Sequence, residues 1–559
     1  MLTVAMCCLL LGLSTRVDAQ VETGINGTIS DSTGALIGNA SVLVTNVQTG
    51  VVTSASVTSK AGNFVVIGLN PGPYSVKVEA AGFKTYIQTG ILVEVSKMSA
   101  LEIRLDPGST SQTVSIVGNE IALNTTTPEM STGLEPELVR TLPIEVSGGP
   151  RLINGFVGQA PGVSNSHYGY LLSGGQSTED SAYINGVPLL GGTGNGEQTE
   201  LADSYPPYEL IKEFRVNVST YSAQYGLSQG TVTYNTASGT DQLHGDVFDI
   251  VRNSFFDSPG FFPTKFSADG TPTAPTDHES DYGFTIGGPV VIPKLYNGKK
   301  RTFFLFSLDN YHENAYESGF GTVPTAAMKG GDFSKFVDAN GNQIPIYDPQ
   351  TGLPFPGNKF PTSRFSPISQ SLLQYIPDPN RTGTNFGLEN NEKAAIPSTS
   401  NTINLFGFSL DHNLSEKQSL HFVEWHHSST NPNFNNFPIV PENNPLEGVA
   451  NNFVLGDSFL LNYVNSLTPN LVMTVGSSLY TDTEGSAGTS LDPTFKGEVS
   501  PKYFPSITFD GQNPISNWGL GTQGNTGDAR RADGLAIDNN WLWSKGRHTF
   551  NIGGEYRLN

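Results

Sequence analysis

The sequence has 559 residues, only 14% of them charged, with 62 Gly and 36 Pro; such a turn-rich chain, poor in the residues that fill exposed helix faces, excludes a helical bundle and points to β-structure. Its 51 acidic and 30 basic residues give a net charge of −21, so the basic face that a nucleic-acid partner requires is missing. No apolar run approaches the roughly 20 residues of a spanning helix, a criterion that does not bear on β-barrel strands.

Residues 1–19 read as a signal peptide. Val4 to Leu13 is a short apolar run, and Val17-Asp18-Ala19 forms a small-residue cleavage pattern before Gln20. The basic n-region is missing, so a start codon further upstream is expected. Both cysteines, Cys7 and Cys8, fall in this segment. The exported chain is therefore expected to hold no cysteine nucleophile and no thiolate metal site. Cys7 makes a poor lipid anchor, because Met6 stands where a small residue is wanted.

Residues 22–106 read as a β-sandwich. Ser41 to Thr45 and Tyr74 to Val78 alternate with period two, Phe64 to Ile67 is a short apolar run, and turn residues punctuate them, as at Asp31 to Gly34 and Asn70 to Gly72. The stretches GTISDSTGALIGNASVLVTNVQTG and TSKAGNFVVIGLNPGPYSVKVEAAGFKT resemble the carboxypeptidase regulatory-like domain. That resemblance implies an accessory sandwich without catalytic zinc.

Residues 107–240 are broken more often by Pro, Gly and Ser. One helix fits at Pro136 to Leu142, and strands fit at Ala182 to Val187 and Glu213 to Val218. Five pieces then follow in a telling order: Phe156 to Val163, Ser173 to Gln176, Tyr183 to Pro188, Ile211 to Val216 and Ala223 to Gly226. Together they resemble the α+β plug of TonB-dependent outer-membrane receptors, with Gly162, Gly174, Gly175, Asn185, Gly186, Tyr225 and Gly226 as the plug motif. Asn185 stands where that family usually has Asp, and Gln229-Gly230 where it usually has Gly-Gly; both departures keep the turn chemistry.

Residues 241–559 hold nine candidate strands: 241–252, 280–293, 301–313, 401–413, 418–429, 452–466, 471–483, 535–544 and 548–558. They are long enough for tilted membrane strands. In the last, Phe550, Ile552, Gly554, Tyr556 and Leu558 share one face, opposite Thr549, Asn551, Gly553, Glu555 and Arg557. One face suits lipid and the other a wet lumen. The connections alternate long and short, as outer loops and periplasmic turns do. Thr236 to Gly245, Val251 to Asn253, Gly287 to Pro289, Arg301 to Phe306, Gly331 to Ser334, Ile346 to Pro349 and Ser363 to Pro367 resemble the Oar-like TonB-dependent receptors.

The expected fold class is thus mostly β: an N-terminal β-sandwich, an α+β plug, then part of a large antiparallel transmembrane β-barrel. Nine strands fall short of the roughly 22 of a plugged transporter, so a C-terminally truncated fragment is expected. The resemblance implies an outer-membrane receptor that takes up a scarce solute. Its partners would be outer-membrane lipid, TonB with its inner-membrane energising complex, and an unidentified small-molecule, glycan or peptide ligand. It implies no enzyme, cofactor or metal. Thr113, Val114, Ser115, Ile116 and Val117 are β-prone and lie between sandwich and plug, which makes them the candidate TonB contact by strand addition. The alternative reading is a secreted or surface-bound adhesion protein whose sandwich holds carbohydrate or a protein partner.

Several local motifs have blander readings. Gly226-Leu-Ser-Gln-Gly230 matches a nucleophile elbow, but a β pattern follows where a helix is needed. His421 and Glu424 match a zinc pair, yet on a strand residues three apart face opposite ways. His426 and His427 read as solvated. Asp338 to Asn342 opens like a calcium loop but lacks Gly at its sixth position and Glu at its twelfth. Gly191 to Gly196 lacks the strand and helix of a phosphate loop. Phe255, Phe256, Trp425, Trp541 and Trp543 fit an interfacial belt.

Overall fold

A computed structural model describes residues 23–56, 62–94, 97–117, 130–134, 149–166, 169–175, 180–189, 204–219, 230–261, 272, 274, 276–374, 376–433, 450–468, 470–487, 507–508, 519–520, 529–545 and 548–558. The expected signal peptide and the expected helix at 136–142 lie outside these residues.

Among the described residues, eight strands build the sandwich: β1 (Gly24–Asp31), β2 (Ser41–Asn46), β3 (Val52–Ser56), β4 (Asn63–Ile67), β5 (Gly72–Glu79), β6 (Thr85–Val93), β7 (Met98–Leu105) and β8 (Thr113–Val117). One sheet runs β4-β1-β7 and the other β3-β2-β5-β6-β8. Alternation sends Val42, Val44, Val76 and Val78 against Ile25, Ile29, Val66 and Ile103 in a closed core. Each such side chain contributes about 1.5–3 kcal/mol when fully buried. Gly27 permits this packing, since a Cβ there would come within 2.6 Å of the Phe64 ring. The strand Thr113–Val117 does not hang free before the plug. It closes the second sheet, pairing in parallel with β6, and forms one edge of it.

The plug contains β9 (Met130–Leu134), β10 (Val163–Ser166), β11 (Gly169–Leu172), β12 (Asp180–Ile184), β13 (Val187–Pro188), β14 (Ile211–Ser219) and β15 (Gly230–Thr236). Five of them form the sheet β13-β12-β15-β14-β9. Residues 182–187, expected as one strand, instead make a hairpin. Asn185 (φ 52) and Gly186 (φ 80) both take positive φ, the conformation that an Asn-Gly type I′ turn requires.

The remaining described strands are β16 (His244–Asn253), β17 (Thr276–Pro289), β18 (Val291–Ile292), β19 (Tyr296–Asn297), β20 (Thr302–Gly321), β21 (Glu392–Thr399), β22 (Thr402–Ser415), β23 (Gln418–Asn433), β24 (Ala450–Thr468), β25 (Leu471–Ala487), β26 (Ile507–Thr508), β27 (Gly519–Leu520), β28 (Arg530–Lys545) and β29 (His548–Leu558). Among the described residues, nine of them form one antiparallel meander, β16-β17-β20-β22-β23-β24-β25-β28-β29, with β21 pairing the far end of β20. All nine expected strands are present. Several run further outward than alternation alone indicated, because polar outer ends continue the ladder above the apolar band. Expected strand 280–293 stops at Pro289, whose missing N–H cannot continue a ladder, and the tight hairpin β18–β19 follows.

The two faces of this sheet differ. Tyr282, Phe284 and Ile286 of β17 point outward and are exposed, while Glu279, Asp281 and Thr285 point inward and are buried. On β22, Leu405 and Ser409 point inward and are buried, leaving Phe406, Phe408 and Leu410 on the opposite face by period two.

Candidate functional site

The inward face of the sheet is occupied by the plug. Leu305 of β20, Val423 and Trp425 of β23, and Leu460 of β24 join the plug residues Leu210, Phe214 and Tyr234 in one apolar core. Trp425 is thereby removed from the expected belt. It is fully buried, and its indole N–H donates to the Ser204 carbonyl at 3.3 Å. Close approach is made possible by glycine: a Cβ on Gly407 of β22 would lie 2.6 Å from Leu210 Cδ2, and one on Gly456 would collide with Ser204. Trp541 and Trp543 flank the inward-packed Leu542, so alternation turns both outward as expected. Phe255 and Phe256 are exposed.

Arg151 pins the plug from its upper side. Its Nε donates to Asp281 Oδ2 at 3.0 Å, its backbone N–H to the same oxygen at 3.1 Å, and its Nη1 to Glu209 Oε1 at 3.4 Å. The guanidinium lies over the rings of Tyr208 and Phe248. Arg151 and Asp281 are both buried, so removing either leaves an uncompensated charge in a dry site.

A second joint lies toward the short turns, where three domains meet at Asp411. His421 Nδ1 lies 2.6 Å from Asp411 Oδ1. Ser238, near the end of the plug region, donates its hydroxyl to Oδ2, and Asn70 of the sandwich donates Nδ2 to Oδ1 at 3.2 Å. Since a carboxylate only accepts, His421 donates from Nδ1, and its Nε2 lies 2.9 Å from Thr236 Oγ1. Thr236 Oγ1 in turn accepts from Asn185 Nδ2 at 2.9 Å. The Asn185 carbonyl accepts from Asn462 Nδ2 of β24 at 3.0 Å. The sandwich adds an apolar contact, with Ile67 packed among Val464, Val472 and Leu542, and an ion pair from Glu94 to Arg215 at 3.5 Å.

The candidate plug residues are thus spread along this body. Asn185 and Gly186 form the turn that reaches the wall. Gly162 (φ 84) and Gly174 (φ 74) bound the hairpin β10–β11, and Gly175 N–H closes its far turn onto the Leu172 carbonyl at 2.9 Å. Tyr225 and Gly226 lie outside the described residues, as does Gly191 to Gly196. The candidate TonB contact, Thr113–Val117, lies on the sandwich edge, with Ile116 exposed. Arg151, Asp281 and Asp411 were not singled out from sequence. Arg151 sits in a stretch with no periodicity, and Asp281 sits at the very start of an expected strand.

The remaining motifs resolve individually. His421 turns inward and Glu424, three residues on, outward by period two, so they share no ion. His426 Nδ1 pairs with Asp457 Oδ1 at 2.7 Å. His427 is not solvated. It is buried and meets the Tyr205 ring edge-on at 4.5 Å. Gly230 and Thr231 to Asn235 lie in β15, a strand where an elbow needs a helix. Asp338 accepts from the backbone N–H of Asn340 and Asn342 and from Asn342 Nδ2, which makes an Asx turn.

Residues 322–391 form an ordered lobe beyond the long ends of β20 and β21, with short helices α1 (Ala326–Lys329) and α2 (Pro367–Leu373). Arg364 grips Asp348 with two parallel bonds, 2.8 and 3.0 Å. That grip and the Gln350 backbone N–H hold the Asp348 carboxyl below the ordinary carboxylate range. Lys359 and Ser334 do the same for Asp332.

A family model described as an outer membrane beta barrel domain matches residues 235–559, and one described as a carboxypeptidase regulatory-like domain matches residues 24–106. The TonB-dependent transporter Oar of Myxococcus xanthus is 23% identical over 245 residues, covering 43% of this chain and 23% of that protein. Among solved structures, the outer membrane transporter YddB from Escherichia coli gives a TM-score of 0.45 at 9% identity, covering 76% of this chain and 48% of that one. The siderophore receptor PirA from Acinetobacter baumannii gives 0.39 at 11% identity, covering 76% and 47%. The chain therefore spans about a quarter of the length of Oar and about half of each of these structures. These relatives are transporters and receptors, not enzymes.

Proposed function

Because the chain belongs to the outer membrane β-barrel domain family and is an outer-membrane protein, we propose that it acts as a TonB-energised receptor that takes up a scarce solute. The observation that carries this reading is the plug seated on the inward wall, held by Arg151 to Asp281 above and by the Asp411 joint below. Among the described residues the plug sheet and the wall sheet share no ladder, so a plug held by polar joints and one apolar contact can be released without unfolding the wall. The similarity to Oar, a TonB-dependent transporter, supports the same energy source.

In this reading Thr113–Val117 is the TonB contact. An edge strand offers main-chain donors and acceptors to an incoming strand, so affinity does not demand a strict sequence. Force applied to β8 passes through its pairing with β6 into the sandwich, and from Asn70 and Glu94 to the wall and plug. Ligand binding above would shift the population toward the released plug. Deleting residues 113–117 should abolish energised uptake and leave surface binding of ligand intact; uptake at the parental rate would reject the assignment.

A further inference from the structure

Acids gather on one face where β17 and β20 run toward the long connections. Asp277, Glu279 and Asp281 lie on one strand, and Asp309 and Glu313 on its neighbour. Period two turns all five inward. Register sets Glu279 directly opposite Glu313, an arrangement in which like charges repel. One oxygen from each of Asp277, Glu279 and Glu313 lies within 4.8 Å of the other two. Arg252 of β16 reaches Glu279 at 2.7 Å and Asp277 at 3.1 Å. The Tyr311 hydroxyl lies 2.7 Å from Glu279 Oε2. One guanidinium, itself shared with Asp257 at 3.5 Å, faces three carboxyl groups.

An independent observation points to what neutralises them. Asn401, only 8% exposed, is held at the cluster by its Nδ2, which donates to Glu313 Oε2 at 2.6 Å. Its buried Oδ1 receives no donor, and neither does the buried Oδ1 of Asp277. A buried amide oxygen left without a partner bears its desolvation cost uncompensated. Two carbonyl-type acceptors cannot satisfy one another, and ionised acids beside them offer no donor, whereas a cation held in the group can be shared by such oxygens. The donors are all oxygen, without imidazole or thiolate, a set that suits a hard ion with flexible coordination.

We propose that Asp277, Glu279, Glu313 and Asn401 form a calcium site in the outer half of the lumen wall. The ion ties β17 and β20 to the residue before β22, and Arg252 ties β16 to the same group. It thus stiffens the wall beneath the 322–391 lobe. This inference does not depend on energy coupling through TonB.

The test uses the full chain purified from outer membranes in detergent and stripped with EGTA. Calorimetric titration with calcium chloride should show one ion per chain, saturating at about 1 mM or below, the range of extracellular sites. Terbium, a calcium stand-in, should give luminescence on excitation of Tyr311, and Tyr311→Phe should lower that signal while calcium binding persists. Asp277→Asn, Glu313→Gln and Asn401→Ala should each weaken calcium binding about tenfold or more, and the outward Glu424→Gln should not. Asn401→Ala removes no charge and serves where a charge variant fails to assemble. No calcium uptake by the parent chain at 10-fold above that range, or uptake unchanged in all three variants, overturns the proposal.

Discussion

Asp411 of β22 and His421 of β23 face each other at 2.6 Å on the inward wall, and each extends to a different domain: Asp411 to Asn70 of the sandwich, His421 to Thr236 of the plug. The pair therefore couples domains that share no covalent neighbour at this point. A double-mutant cycle with His421→Ala and Asp411→Asn should give an interaction energy of about 1–3 kcal/mol. It is read from the denaturant concentration at which the plug becomes protease-sensitive. Additive effects would show that the two groups act separately.

Arg151→Ala leaves Asp281 buried without its partner, a change that costs about 3–5 kcal/mol. Hydrogen exchange in residues 208–219 should accelerate at least a hundredfold if opening becomes easier by that amount. Arg151→Lys should recover only part of the protection, since an ammonium cannot keep both the carboxylate bonds and the stacking on Tyr208 and Phe248. Unchanged exchange in Arg151→Ala would mean that the plug is held elsewhere.

Gly407 is where the wall gives room to Leu210. Gly407→Val forces a side chain into that contact and should destabilise the plug by about 1–3 kcal/mol, while the outward apolar face and membrane insertion stay as they are. The readout is increased protease cleavage of the plug in membranes that retain the barrel strands.

The outer lobe should depend on acid. Asp348 and Asp332 have pKa values lowered in the folded state by Arg364 and Lys359 respectively. Carboxylates of this kind add stability above the unfolded value of roughly 3.9 and lose it as pH falls through the folded value. Pepsin cleavage within residues 322–391 should therefore rise steeply below about pH 4. Asp348→Asn should raise cleavage above that pH and flatten its further rise on acidification.

The strands of the wall were legible because each carries a lipid face and a lumen face for ten or more residues, as Phe406 and Phe408 opposite Gly407 and Ser409 make plain. The belt assignment of Trp425 rested on its nearness to a strand end and failed because β23 runs on to Asn433, which puts Trp425 at mid-strand on the buried inward face beside Val423. The acids of β17 are hard to read from sequence because the apolar alternation begins only at Tyr282, and Asp277, Glu279 and Asp281 precede it. The joint at Asp411 was beyond reach from sequence, since Asn70, Ser238 and His421 are brought together by tertiary structure alone. The edge position of Thr113–Val117 was half legible: its β character shows in the alternation, but its pairing with β6 does not.

The central claim is that the protein is worked from the periplasm through the edge strand β8. It is tested most directly by placing a photo-crosslinking amino acid at each of residues 113–117 in cells that express TonB. Adducts with TonB are expected at alternate positions of this strand, and none from residues 52–53 of β3, the opposite edge of the same sheet. Adducts from β3 and none from 113–117 would contradict it.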